Sequence, residues 1–157
     1  MTCKKVYIGQ ELKDEDLVYG IGSVYLGGPR NTKGKSWRLD FIKGFERAKA
    51  DCVLFIPETY NQLKGGFNKN PAQDRYQWEH MTISVASVIL FWYPADVIDV
   101  QSSAQFGSWY KSERTFCGTE NPDHEQYIHW LYKKQHKMYP CGSPDELIDM
   151  VVRWMKE

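Results

Sequence analysis

The chain has 157 residues, a length that fits one domain of ordinary size. Its 20 basic and 20 acidic residues cancel, so no overall charge attracts it to a nucleic acid polymer or an anionic membrane. No run approaches the ~20 apolar residues of a membrane span, and the first ten residues lack the apolar stretch of a signal peptide. We therefore expect a single cytoplasmic domain over 1–157, without nucleic acid or membrane partners.

The cysteines and histidines show no spacing typical of a metal site or a catalytic triad. Cys52 and Cys117 lie in or beside apolar runs and are interpreted as buried free thiols, as is common in a reducing compartment. Neither a P-loop nor the GxGxxG dinucleotide-binding motif occurs. We expect no metal and no cofactor.

Short apolar runs alternate with amphipathic stretches in the first half of the chain, which is typical of a parallel sheet covered by helices. The predicted elements, in chain order, are a strand at 6–8, a strand at Gly22–Leu26 followed by a turn at 27–30, a helix from its Ser36 cap through Arg47, a strand at Cys52–Ile56 stopped by Pro57, and a mobile loop over 58–71.

The same alternation continues in the second half, where Ser143, Pro144 and Glu146 form a strong helix start. The predicted elements are a helix at Ala72–Val85, a strand at Ser87–Trp92, a helix at Ser103–Glu113, strands at Thr115–Cys117 and Lys137–Tyr139 with a helix at 123–135 between them, and a last helix to the C-terminus. Because ligands bind beyond the carboxyl ends of parallel strands, the loops after Leu26, Ile56 and Trp92 are the candidate site.

Five segments occur in an order that resembles the nucleoside 2-deoxyribosyltransferase-like family. They are VYLGGPR at 24–30, SWR at 36–38, WEHMTISVASVILFWYP at 78–94, SSAQFGSW at 102–109, and YIHWLY at 127–132 followed by the capped last helix. The resemblance implies a flavodoxin-like (Rossmann-like) three-layer α/β sandwich with a mostly parallel sheet. It also implies cleavage of the N-glycosidic bond of a 2′-deoxynucleoside or a related nucleotide, and a homodimer or higher homo-oligomer in which a neighbour helps to close each site.

In this family the segment that matches 102–109 carries the nucleophilic glutamate before Phe-Gly, and here that position is Gln105. A carboxylate there would attack the anomeric carbon and form a covalent sugar intermediate, whereas a neutral amide cannot. Three explanations remain open. A glutamate was replaced to trap substrate, or the protein is a naturally inactive binder, or another carboxylate performs the reaction.

Two other acids match acid positions of the family by their spacing, namely Glu79 in the helix before the strongest strand and Asp99 in the loop after it. The resemblance implies that Glu79 faces the sugar and that Asp99 recognises or protonates the base. The alternatives are a solvent-facing helix residue for Glu79 and a loop-capping residue for Asp99. Asp96 is a less favoured partner because it lies nearer the strand end.

The turn and the following helix start supply candidate substrate-binding residues. Gly27 and Gly28 would let a ligand approach the backbone, or they simply form a tight turn. Arg30 could bind a 5′-phosphate together with the hydroxyls of Ser102 and Ser103 at a helix start, or these are ordinary surface and capping residues. The partner is therefore predicted to be a nucleoside or a nucleoside 5′-monophosphate.

Two features around the strongest strand complete the prediction. Tyr93 follows the strand and could stack on a base, whereas Trp92 belongs to the core by alternation. Ser87 stands where relatives often carry aspartate, and it could serve as the same kind of backbone hydrogen-bond acceptor.

Beside cleavage or transfer of a deoxyribosyl group, two alternatives stay open: a non-catalytic nucleotide-binding protein of the same fold, and hydrolysis of a larger nucleotide such as NAD.

Overall fold

The computed structural model describes residues 3–17, 22–30, 34–95, 99–121 and 126–157, and within these ranges it forms one five-stranded parallel sheet. The strands are Lys4–Tyr7 (β1), Gly22–Gly27 (β2), Cys52–Ile56 (β3), Val88–Tyr93 (β4) and Thr115–Thr119 (β5). Their order across the sheet is β1-β3-β2-β4-β5, and every neighbouring pair is parallel.

Six α-helices lie in the described residues, together with a short 3-10 helix at Asp14–Leu17. The α-helices are Arg38–Arg47 (α1), Tyr60–Leu63 (α2), Ala72–Val85 (α3), Val100–Trp109 (α4), Tyr127–His136 (α5) and Pro144–Lys156 (α6). None of these helices is long and apolar enough to cross a membrane.

The four strands β2 to β5 are buried on both faces except at Gly22, as the continuous apolar runs of β3 and β4 predict for those two strands. One face of the sheet packs against α1 and α6, where Phe41, Phe45 and Val151 are fully buried. The other face packs against α3, α4 and α5 through residues such as Phe106 and Tyr132. The molecule is a three-layer α/β sandwich of the flavodoxin-like type, which confirms the predicted fold class.

One edge of the sheet differs from the prediction. The predicted last strand at Lys137–Tyr139 is absent, because Lys137 adopts a left-handed conformation (φ 56°) that ends α5, and only an isolated bridge between Gly118 and Cys141 follows. The opposite edge of the sheet is formed by β1, which pairs with β3. The predicted strand at 6–8 is thus confirmed with a shift of two residues at its start.

Helix boundaries show how local capping competes with apolar periodicity. The predicted mobile loop at 58–71 contains α2, which a capping box between Thr59 and Gln62 nucleates. Helix α4 begins three residues earlier than predicted because Asp99 caps it, and it ends at Trp109 rather than Glu113. Helix α1 begins at Arg38, with Trp37 rather than Ser36 at the N-cap position.

Other boundaries follow the prediction closely. Helix α3 has the predicted bounds, and the Ser143 hydroxyl caps α6 by accepting a hydrogen bond from the Glu146 amide. Helix α5 lies within the predicted region, although residues 123–125 at its predicted start are outside the described residues. Ser87 Oγ accepts a hydrogen bond from the Ser23 amide at 3.2 Å, which confirms its role as an acceptor before β4.

The strand order places a crevice at one particular position. The chain passes from β2 outward to β3 and then returns across β2 to β4. The helix that follows β2, α1, lies on one face of the sheet, and the helix that follows β4, α4, lies on the other. In parallel α/β sheets this switch point is where ligands bind. The turn after β2 and the N-terminal part of α4 meet at this position.

Candidate functional site

A narrow cleft of about 10 Å³, with room for about one water molecule, lies at the switch point between the end of β2, helix α3 and the start of α4. Six of the nine residues around it were predicted as site residues, from three separate segments of the chain. The residues are Tyr25, Gly28, Arg30, Arg38, Glu79, Asp99, Gln101, Ser102 and Gln105. Past Glu79, Gln101 and Gln105 the cleft continues into an open groove of about 260 Å³ between α3 and α4.

Asp99 joins the turn after β2 to the start of α4. Its Oδ1 accepts a hydrogen bond from the Ser102 amide at 2.7 Å and thereby caps α4. Its Oδ2 accepts a hydrogen bond from the Arg30 amide at 3.2 Å. Asp99 is therefore a helix-capping residue, the alternative left open by the sequence, and it also lines the cleft. Asp96 lies outside the described residues.

Glu79 is a buried carboxylate with only 4% of its surface exposed, so it is not a solvent-facing helix residue. Its Oε2 accepts a hydrogen bond from the Gln101 amide group, and its Oε1 lies 3.8 Å from Arg30 Nη2. Burial raises the pKa of this carboxyl, and the positive charges of Arg30 and Arg38 oppose that rise in part. The side chain consequently holds a proton to higher pH than an exposed glutamate does.

Gln105 lies in the cleft on the same face of α4 as Gln101, which precedes it by one helical turn. Its Oε1 accepts a hydrogen bond from the Tyr25 hydroxyl at 3.4 Å. Burial raises the pKa of that hydroxyl, so Tyr25 is a neutral donor at ordinary pH. A glutamate at position 105 would receive the same hydrogen bond on its carboxylate.

The turn after β2 depends on one of its two glycines for its shape. Gly28 has φ +137°, and a Cβ there would overlap the carbonyl oxygen of Trp92 and lie 2.8 Å from the Trp37 ring. Gly27 packs against the Phe91 ring and does not line the cleft. Arg30 extends beside the cleft and donates a hydrogen bond from Nη2 to the carbonyl oxygen of Pro57 at 3.3 Å.

The two serines at the start of α4 differ in position. Ser102 is buried and lines the cleft. Ser103 does not line it, and its hydroxyl donates to the carbonyl oxygen of Asp99 at 2.8 Å, next to its own helix. The structure therefore places Ser102, but not Ser103, at the cleft.

Tyr93 lies in the core rather than in the cleft. Only 1% of its surface is exposed, and its ring packs near Phe91, Phe106 and His129. Such a ring has no free face for a base. Trp92 is also buried, as the alternation of the strand predicted, on the opposite face of the sheet.

Three cleft residues were missed by the sequence prediction, namely Tyr25, Arg38 and Gln101. Tyr25 alternates with Val24 and Leu26 in β2, and this period of two could have placed its side chain on the α3 and α4 face. Gln101 precedes Gln105 by four residues, a spacing that puts both on one helix face. Arg38 belongs to the SWR segment, but no local pattern shows that its guanidinium is buried.

No family model matches the chain, and no curated protein matches it significantly. Within the part of the chain that the structure describes, no three His, Cys, Asp or Glu side chains gather as a metal site would require. The chemistry of the site therefore follows from its own side chains.

Proposed function

We propose that the cleft is the active site of a deoxyribosyltransferase-type enzyme, which acts on the N-glycosidic bond of a 2′-deoxynucleoside or its 5′-monophosphate. We further propose that Gln105 keeps this chain in a form that binds its substrate but is impaired in cleaving it. The observation that carries the proposal is that Gln105, Glu79 and Asp99, from different elements, surround one cleft at the switch point of the sheet.

The reaction needs a carboxylate where Gln105 lies. With glutamate at this position, a carboxylate oxygen would bond to the anomeric carbon while the bond from that carbon to the base breaks. The base leaves with the electron pair and takes up a proton, and water or a second base then displaces the sugar from the carboxylate. An amide supplies neither the negative charge nor the leaving ability that these two steps require.

Glu79 is suited to handle the proton in this scheme. Burial raises the pKa of its carboxyl, so the side chain keeps its proton to a higher pH than an exposed glutamate does, which is the direction that a general acid requires. Gln101 and Arg30 hold its two oxygens in place at the cleft. Asp99, whose oxygens both accept backbone amides, contributes the placement of the turn and of α4 rather than proton transfer.

The charges beside the cleft bear on whether the ligand carries a phosphate. Arg30 is half-buried and its guanidinium lies near Glu79, so a 5′-phosphate would share this cation with the carboxylate. The Ser102 amide at the start of α4 is already bonded to Asp99. These contacts favour the nucleoside over the monophosphate, and both belong in the test.

The test compares the chain with its Gln105→Glu variant on the common 2′-deoxynucleosides and their 5′-monophosphates, with free base followed by chromatography. We expect base release from the Gln105→Glu variant and little from the unaltered chain. A Gln105→Asn variant serves as control, because it removes the fit of the side chain without adding a carboxylate. Equal base release by the unaltered chain and the Gln105→Glu variant would mean that another carboxylate performs the reaction, and Glu79→Gln would be the next variant to measure.

A second candidate function is nucleotide binding without catalysis. The hydrogen bond from Tyr25 to Gln105 favours it, because the amide oxygen is already bonded and the site is stable without a charge at position 105. This candidate predicts nucleoside binding by both the unaltered chain and the Gln105→Glu variant, and no base release by either. Calorimetric titration of both proteins with the same panel separates the two candidates.

A further inference from the structure

The segment SWR at 36–38 matches the resemblance, yet the proposed mechanism gives it no part. In the structure Ser36, Trp37 and Arg38 are all buried. Ser36 bonds to Glu58, which lies just beyond the end of β3. Trp37 bonds to the turn after β2, and Arg38 bonds to the end of β2 and to the turn. The segment therefore lies at the wall of the cleft, which Arg38 itself helps to line.

Arg38 makes the largest number of these bonds. Its Nε donates to the carbonyl oxygen of Leu26 and its Nη2 to the carbonyl oxygen of Gly28, both at 2.9 Å. Its Nη1 lies 2.5 Å from Glu58 Oε1 in a fully buried ion pair. The planar guanidinium fixes these three acceptors relative to one another, which the single ammonium group of a lysine could not do.

Trp37 and Ser36 complete the arrangement. Trp37 Nε1 donates to the carbonyl oxygen of Pro29 at 2.8 Å, and the indole ring packs against Gly28. The Ser36 hydroxyl donates to Glu58 Oε1 at 2.5 Å and accepts the Arg38 amide at 3.2 Å. Three backbone carbonyls at the end of β2 and in the turn are thus held by side chains from the start of α1.

The turn transmits this placement to the cleft. The Arg30 amide is bonded to Asp99, which caps α4, and the Arg30 guanidinium lies beside Glu79. A shift of the turn would therefore move Arg30 away from Glu79 and release the contact with Asp99. Arg38 itself is only 1% exposed and already has three acceptors, so it does not serve as the ligand's own cation.

We infer that Arg38 is a positioning residue: with Trp37 and Glu58 it fixes the turn after β2, and through the turn it sets Arg30 and Glu79 for the ligand. The part of this inference that concerns the ligand rests on the proposed function. The part that concerns the turn does not, because it is a statement about backbone order.

The test uses an Arg38→Lys variant of the full chain. Lysine can keep the ion pair with Glu58 but not the two bonds to Leu26 and Gly28. The control is Arg47→Lys, the same substitution on the same helix at an exposed guanidinium 3.7 Å from Asp145. Trp37→Phe is the second variant, because it removes only the indole donor to Pro29 and remains informative if Arg38→Lys does not fold.

Three quantities are measured. The first is hydrogen exchange of the Arg30 amide by NMR, which we expect to be about tenfold faster in Arg38→Lys, the factor that about 1.4 kcal/mol corresponds to. The second is the Kd for the common 2′-deoxynucleosides, which we expect to rise by a similar factor. The third is the KM in the Gln105→Glu background, which we expect to rise, whereas a mere loss of folded protein would lower the apparent kcat and leave KM unaltered.

The outcomes separate the inference from the proposed function. Unchanged Arg30 exchange in both Arg38→Lys and Trp37→Phe would overturn the inference. Faster Arg30 exchange with unaltered Kd and KM would overturn the part of the inference that concerns ligand binding. If exchange accelerates but no form of the chain, unaltered or variant, binds a nucleoside or its monophosphate, then the proposed function fails while the role of Arg38 in fixing the turn stands.

Discussion

Replacing Gly28 by alanine tests the geometry on which the cleft depends. A non-glycine residue at φ +137° costs about 1–3 kcal/mol in backbone strain. The added Cβ also overlaps the carbonyl oxygen of Trp92, a backbone atom of the central strand β4 that cannot move freely. Overpacking of this kind costs about another 1–3 kcal/mol. A total near 3 kcal/mol would lower the Tm of a domain of this size by roughly 6–12 °C.

Gly34→Ala is the matched control for this substitution. Gly34 also has a positive φ, +76°, but a Cβ there meets no atom within 4 Å. It therefore carries the backbone strain without the clash, and we expect it to cost about 1 kcal/mol. Urea denaturation of both variants gives the two free energies of unfolding. Equal losses in Gly28→Ala and Gly34→Ala would refute the close approach of the turn to β4.

Three further predictions follow from other parts of the structure. Gly107→Ala should raise the free energy of unfolding by about 0.5–1 kcal/mol, because Gly107 lies within α4 and no atom lies close to its Cβ position. Urea denaturation measures this change, and a lower free energy of unfolding would contradict the open space beside Gly107. Glu79→Gln should be more stable than the unaltered chain at neutral pH, since the raised pKa of Glu79 means that its charged form is disfavoured in the folded state. That advantage should shrink as the pH falls through the raised pKa towards 4.5, the ordinary carboxyl value, and a constant Tm difference across this range would refute the assignment. Cys3 and Cys52, whose sulfur atoms lie 2.9 Å apart, should form a disulfide when glutathione disulfide is added, with release of two glutathiones. The bond would close a loop of ~50 residues and stabilise the fold by about 4 kcal/mol. If peptide mass mapping finds no such disulfide, the placement of β1 beside β3 is contradicted.

The sequence predicted the layers of this fold because β3 and β4 are continuous apolar runs and α6 has a strong apolar face. Helix α3 and strand β3 have the predicted bounds. The failures lie where short-range geometry decides: the capping box at Thr59 creates α2, and the left-handed Lys137 prevents a last strand.

The candidate site was predicted in part from the resemblance. It gave Glu79, Asp99 and Gln105 by their positions in the matching segments, and the parallel topology brings these segments to one switch point. Whether a side chain is buried depends on tertiary packing, and this is why Tyr93 was expected in the cleft while Arg38 was overlooked. The hydrogen bonds of Arg38 to Leu26 and Gly28 have no signature in local sequence.

The most direct measurement of the central claim is the intact mass of the Gln105→Glu variant, quenched with acid during turnover of a 2′-deoxynucleoside. The account predicts a covalent adduct of one deoxyribosyl group, located by peptide mapping at position 105, with one base released for each adduct formed. The unaltered chain, with Gln105, should show neither adduct nor base under the same conditions. Base release without an adduct at position 105, or the same release from the unaltered chain, would contradict the claim that this position holds the nucleophile.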